Sequence, residues 1–170
     1  LPEEWCADER RREEAQVPDD VTFETKPQLA VEMLEHAWAQ GVPMAWVAGD
    51  EVYGDAPYLR DAISKTEKRY VLCVSCHTPV WRARPRLEEP VAGALGRPRT
   101  RPRLAEGTPS AETVAVVIAS QPSDGWQRLT VSEGEKGPIT YDWTRVRVVE
   151  SREGLPGPDS WLMARRSITD

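Results

Sequence analysis

The first element that the alternation of apolar and polar residues predicts is a helix over 26–40, KPQLAVEMLEHAWAQ. Leu29, Ala30, Met33, Leu34, Ala37 and Trp38 fall on one face at the 3.6-residue repeat. Thr25 followed three residues later by Gln28 forms a capping-box pattern, and Pro27 sits in the first turn, where its missing N–H costs nothing. Gly41 and Pro43 stop the helix. His36 lies towards the polar side and reads as an exposed helical histidine, not a ligand. The short apolar run MAWVA follows and fits a strand buried on both faces. A second helix is predicted over 57–67, with Pro57 in its first turn and Leu59, Ala62 and Ile63 inward, and RYVLCVSC, 69–76, reads as another strand. Helix–strand–helix–strand at this spacing predicts α/β layering with parallel neighbours.

The flanks have a different texture. Residues 1–24 are polar, with the charge run DERRREE, and read as a solvated helix or loop followed by a short extended piece. Residues 79–110 carry six prolines with Gly and Arg between them, which predicts irregular chain or an extended arm. AETVAVVIAS, 111–120, leans to helix with Ser110 as cap, although its β-branched content opposes this. WQRLTV, ITYDWTRVRVVE and WLMARRSI read as strands, separated by the turns SEGEKGP and EGLPGPDS, so the C-terminal half is expected to be mostly β.

Composition narrows the class. The chain has 170 residues, 39% hydrophobic and 29% charged, with mean hydropathy −0.56, and no apolar run approaches the roughly 18 residues that span a bilayer. It opens without Met and ends abruptly on RRSITD, and is read as a segment of a longer protein. Three cysteines, an odd number without a disulfide-framework pattern, favour a reducing, cytoplasmic setting. The net charge of −6 is uneven. Residues 1–70 hold 8 basic and 16 acidic side chains, whereas residues 77–104 hold 7 Arg and 2 Glu. The global balance argues against a general nucleic-acid binder, and the local cluster keeps that reading open.

Three features are candidates for chemistry. Asp50 follows MAWVAG, at the carboxyl end of a predicted parallel strand, where functional groups of open α/β sheets collect. A carboxylate there can ligate Mg²⁺, and it can equally start a turn or cap the next helix. CVSCH, Cys73 to His77, matches the C-x-x-C-H haem-attachment pattern. Haem attachment needs export and a second axial ligand, and zinc needs a fourth ligand, neither of which is in view. Cys73 is therefore expected to face the core of its strand as a small apolar residue. GRPRTRPR, with Arg97, Arg99, Arg101 and Arg103, is a stiff basic stretch like the core of AT-hook peptides. It reads either as an arm along a DNA backbone or minor groove or as a solvated linker. The seven tryptophans are expected to pack in the core and between strands, not to serve as base-stacking platforms.

Several stretches in collinear order carry a resemblance. LPEEWCADERRREEAQVPDDVTFETKPQLAVEML, GVPMAWVAGDEVYGDAPYLR, RYVLCVSCHTPVW, GRPRTRPR and the final GWQRL…SITD together resemble bacterial insertion-sequence transposases of the DDE superfamily. The resemblance implies a partial ribonuclease-H-like α/β core over 1–78, a Pro/Arg-rich linker or DNA-contacting arm over 79–110, and a β-rich insertion over 111–170. It implies Mg²⁺-dependent DNA strand cleavage and transfer, with three carboxylates holding two metal ions. By position Asp50 resembles the second acid and a metal ligand. Glu51, its neighbour along the strand, is expected to point to the other side. The first Asp and the final Glu of the pattern are not found here. The expected partners are DNA at the element ends and, through the open side of an incomplete sheet, a second copy of the chain. The alternatives are a catalytically inactive remnant retaining at most DNA binding, and a metal or haem protein using Cys73, Cys76 and His77.

Overall fold

The computed structural model describes residues 2–90, 99–135 and 137–168, which fall into two units, Leu1–Ser75 and Cys76–Asp170. Each unit builds its own core around a sheet.

The first unit opens with two short helices, α1 (Glu3–Cys6) and α2 (Glu9–Glu14), so the charge run is helical. Asp8 caps α2 by accepting from Arg11 N–H, and Arg10 pairs with Glu14 one turn on. Helix α3 (Lys26–Ala39) follows, where Gln28 Oε1 accepts from Thr25 N–H at 2.8 Å, the return half of the capping box. Strand β1 (Trp46–Gly49) leads into a single helical turn, α4 (Glu51–Gly54), which the apolar pattern did not predict. Helix α5 (Pro57–Ser64) and strand β2 (Arg69–Leu72) complete the unit. β1 and β2 pair in parallel from Trp46↔Arg69 to Gly49↔Leu72, as the helix–strand alternation predicts.

Ala56, Leu59 and Ile63 of α5 form the buried centre, with Ala30, Val31, Leu34 and Trp38 of α3 and Val47, Tyr70 and Leu72 of the strands around them. The inward face of α3 is therefore turned from the predicted one: Leu29 is exposed and Met33 is 72% exposed. The strand pair is covered on one face, not both, because α3 and α5 pack against the same side. Trp46 and Val71 point away from that core and are exposed.

The second unit is dominated by a five-stranded sheet: β3 (Pro79–Trp81), β6 (Glu112–Thr113), β7 (Gln127–Gly134), β8 (Gly137–Arg152) and β9 (Leu155–Ser167). A separate small pair, β4 (Leu87–Glu88) with β5 (Arg103–Leu104), lies in the proline-rich stretch. β8 is the organising strand. β7 pairs with its first half, β3 with Glu150 and Val149 near its end, and β9 along most of its length, all antiparallel. The predicted turn EGLPGPDS reduces to Glu153 and Gly154, both with positive φ (52° and 78°), which is a two-residue hairpin turn. Strand β9 begins at Leu155 and tolerates Pro156 and Pro158 because it is an edge strand.

The ambiguous stretch 111–120 splits between the two states: β6 takes two residues and α6 (Val114–Ala119) the next six. The cap is Thr113, whose side chain accepts from Val116 N–H, and not Ser110. Val117 of α6 packs with Val80 and Val148 beneath the sheet, with Val146 and Leu162 beside them.

Candidate functional site

Asp50 follows the last residue of β1, at the carboxyl ends of the two parallel strands. There it is the N-cap of α4, with Oδ1 accepting from Val52 N–H at 3.0 Å. The side chain is exposed. Glu51 is not a strand neighbour, as expected from simple alternation, but the first residue of that helical turn. The carboxylate caps a helix, one of the two roles weighed for it, and it stands at the carboxyl ends of the parallel pair.

The turn that carries Asp50 is held by backbone contacts. Gly54 is buried, and a Cβ placed on it would collide with the carbonyl of Cys73. Cys73 is itself fixed by donating its N–H to Gly49 O at 3.0 Å. The guanidinium of Arg60, a buried residue of α5, donates to Gly54 O. One residue on, Asp55 Oδ1 accepts from Ser75 N–H at 3.0 Å. Gly54, Arg60 and Asp55 thus position Asp50, and the apolar pattern did not single them out. The only sequence signal was a Gly directly before an Asp in VYGD, where Gly supplies close approach, not a positive φ.

Asp50 offers hard oxygen donors of the kind that Mg²⁺ selects. Among the described residues no group of three or more His, Cys, Asp or Glu gathers into a metal-holding cluster. The donor set thus fits one carboxylate of a divalent-cation site. The same absence bears on CVSCH. Cys73, expected in the core, is exposed just past the end of β2, and Cys76 is exposed as well.

The basic stretch is only in part a solvated arm. Arg97 lies outside the described residues. Arg99 is exposed, and Arg101 Nη1 stands 3.7 Å from Glu153 with both side chains open to solvent. Arg103 is a β5 residue opposite Glu88, which it contacts at 2.7 Å. The hydrogen bond and charge of Arg103, with a smaller contribution from Arg99, hold the Glu88 carboxyl below its ordinary range. Exposed pairs of this kind are weak and screened by salt, so a polyanion can displace them.

Further ion pairs brace the second unit. Arg82 pairs with Glu112 across β3 and β6 at 2.8 Å, raising the arginine's pKa and lowering the glutamate's through the hydrogen bond they share. Asp142 is bonded by Arg128 at 3.0 Å and Arg166 at 3.4 Å, its neighbours in register on β7 and β9. The Arg128 hydrogen bond is the leading cause that lowers the Asp142 carboxyl, with Arg166 adding to it. These groups tie strands together.

No helix among the described residues is long and apolar enough to cross a membrane. No curated protein and no solved structure matches the chain. A family profile described as DDE superfamily endonuclease matches residues 1–138, which takes in β1, the Asp50 turn, the basic stretch and β7. Enzymes of that superfamily act on DNA and generally use divalent metal ions. With most of its length inside that match, the chain belongs to the DDE superfamily of endonucleases.

Proposed function

We propose that the chain is the part of a DDE transposase that carries its second catalytic aspartate, Asp50, within a ribonuclease-H-like core, and that the complete enzyme cleaves and transfers DNA strands with Mg²⁺. The observation that supports this is the placement of Asp50: a carboxylate at the carboxyl end of a parallel strand, on a turn fixed by Gly54, Arg60 and Asp55. A divalent ion at such a site activates water and stabilises the leaving oxygen in phosphodiester chemistry. Asp50 would hold the ion through the oxygen not committed to Val52. The rigid turn keeps that oxygen from swinging away as charge develops. Arg97, Arg99, Arg101 and Arg103 would contact the phosphate backbone and fix register without reading sequence.

The test is strand cleavage by the complete gene product on an oligonucleotide carrying an element end, comparing the wild type with Asp50→Asn. The amide keeps the capping oxygen and removes the charge. Loss of at least about a hundred-fold in rate with an unchanged melting temperature is expected, as for a metal ligand. Equal rates would sink the assignment. The second reading, an inactive remnant that still binds DNA, is favoured by the lack, among the described residues, of any group of three metal-holding side chains. It predicts duplex binding that weakens with salt, and no cleavage by the wild type.

A further inference from the structure

The two faces of the β7–β8–β9 sheet differ in kind. On one face Thr144 and Val148 are buried, and Val146, Val148 and Leu162 pack with Val80 and Val117. On the other, alternate residues of β8 are Tyr141, Trp143, Arg145 and Arg147, and those of β9 are Trp161, Met163 and Arg165. Register sets them side by side as Arg147↔Trp161, Arg145↔Met163 and Trp143↔Arg165. Trp161 is 56% exposed, where the sequence pattern predicted a packing residue. The guanidinium groups of Arg145 and Arg147 lie 4.9 and 5.1 Å from the centre of its ring. Arg165 lies 4.7 Å from the ring centre of Tyr141, which meets Trp143 edge to face.

Charge sets this face apart from most of the unit. Arg82, Arg84, Arg103, Arg128, Arg152 and Arg166 all pair with carboxylates. Among the described residues no carboxylate pairs with Arg145, Arg147 or Arg165. The outward positions from Tyr141↔Ser167 to Arg147↔Trp161 contain no acid, and the next one along, Asp159, is held by Arg84 at 3.1 Å.

We propose that this face binds single-stranded nucleic acid, with Trp161 as a stacking platform for one base and Arg145, Arg147 and Arg165 engaging the flanking phosphates. Positive charge at three outward positions of β8 and β9 around the exposed ring of Trp161 is the combination that single strands select, since each nucleotide presents both an anion and a π-face. A duplex or an acidic peptide would use the arginines and leave Trp161 idle, because paired bases keep their faces stacked inside the helix. A guanidinium over an exposed ring is held weakly, so an incoming base can displace it onto a phosphate. Asp50, Arg99, Arg101 and Arg103 are not among the residues that define this face, so the inference goes beyond the proposed cleavage function and can fail separately from it.

The experiment is fluorescence anisotropy of a labelled 20-nucleotide oligo-dT, with a 20-base-pair duplex and poly-glutamate as parallel probes, on the full chain. Wild type is expected to bind oligo-dT with an affinity that falls with salt. Trp161→Ala should weaken that binding about ten-fold, while Trp161→Phe restores most of it. Arg145→Gln/Arg147→Gln/Arg165→Gln should lower the salt slope by about 2, three phosphate contacts on a single strand. Arg10→Gln/Arg11→Gln, which removes positive charge from exposed positions of α2, should bind oligo-dT as wild type does. Equal oligo-dT affinity in Trp161→Ala and wild type overturns the proposal. So does duplex or poly-glutamate binding as tight as oligo-dT, or concentration-dependent dimerisation that Trp161→Ala abolishes.

Discussion

Asp50 caps α4, and substitution can pull that observed duty apart from the proposed one of metal ligand. Its Oδ1 caps α4, and capping residues changed to Ala lose about 1 kcal/mol. Asp50→Ala should therefore lower stability by about that much in a denaturant titration, whereas Asp50→Asn, which still accepts from Val52 N–H, should stay within a few tenths. Cleavage lost in Asp50→Ala but kept in Asp50→Asn would show the carboxylate to be structural alone. Gly54 sets the sharper constraint. Any side chain there meets the Cys73 carbonyl, and that carbonyl cannot retreat while Cys73 N–H is bonded to Gly49. Gly54→Ala should cost about 3 kcal/mol by forcing the β1 and β2 ends apart, read as a drop in denaturation midpoint at unchanged slope. A loss under about 0.5 kcal/mol would mean that the turn is softer than its contacts imply.

At the scale of elements, what the sequence revealed depended on whether a local rule had a rival. α3 was legible because its capping box, first-turn proline and apolar period agree. The parallel β1–β2 pair was legible because a helix must separate such strands. α4 was not, because four residues are too short for any period and only the Asp50 cap marks it. The start of β9 was hidden by Pro156 and Pro158, which read as a turn until the strand is known to lie at an edge. Asp50 itself was found by its place after a strand, but the residues that hold its turn act through space and left no spacing to read. The Glu153–Gly154 turn offers a check on the hairpin. Gly154→Ala places a Cβ at φ 78° and should destabilise by about 1 kcal/mol, whereas Glu153→Asn, better suited to φ 52°, should stabilise by about 0.5 kcal/mol. Matching melting curves for the two variants would contradict the left-handed geometry of this turn.

At the scale of the molecule, three carboxylates among the described residues, Glu88, Glu112 and Asp142, are held below their ordinary range, and these three belong to the second unit. Each binds fewer protons folded than unfolded, so its contribution is present above the unfolded pKa of about 4 and is lost as pH falls through the lower folded value. Acidification from about pH 5 to pH 2 should therefore increase amide exchange in β3, β6, β7 and β9 more than in β1 and β2. High salt should blunt the difference, since these pairs face water. Uniform acid sensitivity across both units would show that the arginine partners do not matter to stability. β8 has one further consequence. It meets β7 and β9 across tight turns, whereas Trp81↔Val149 closes a span of about seventy residues. At a synthesis rate of about 5–20 residues per second, β3 leaves the ribosome roughly 4–14 s before the part of β8 that pairs with its edge opposite β6. Throughout that interval Val80 and Trp81, two of the most enclosed side chains of the finished unit, are exposed on a nascent chain with an open strand edge, the window in which a chaperone or a wrong strand would reach them first.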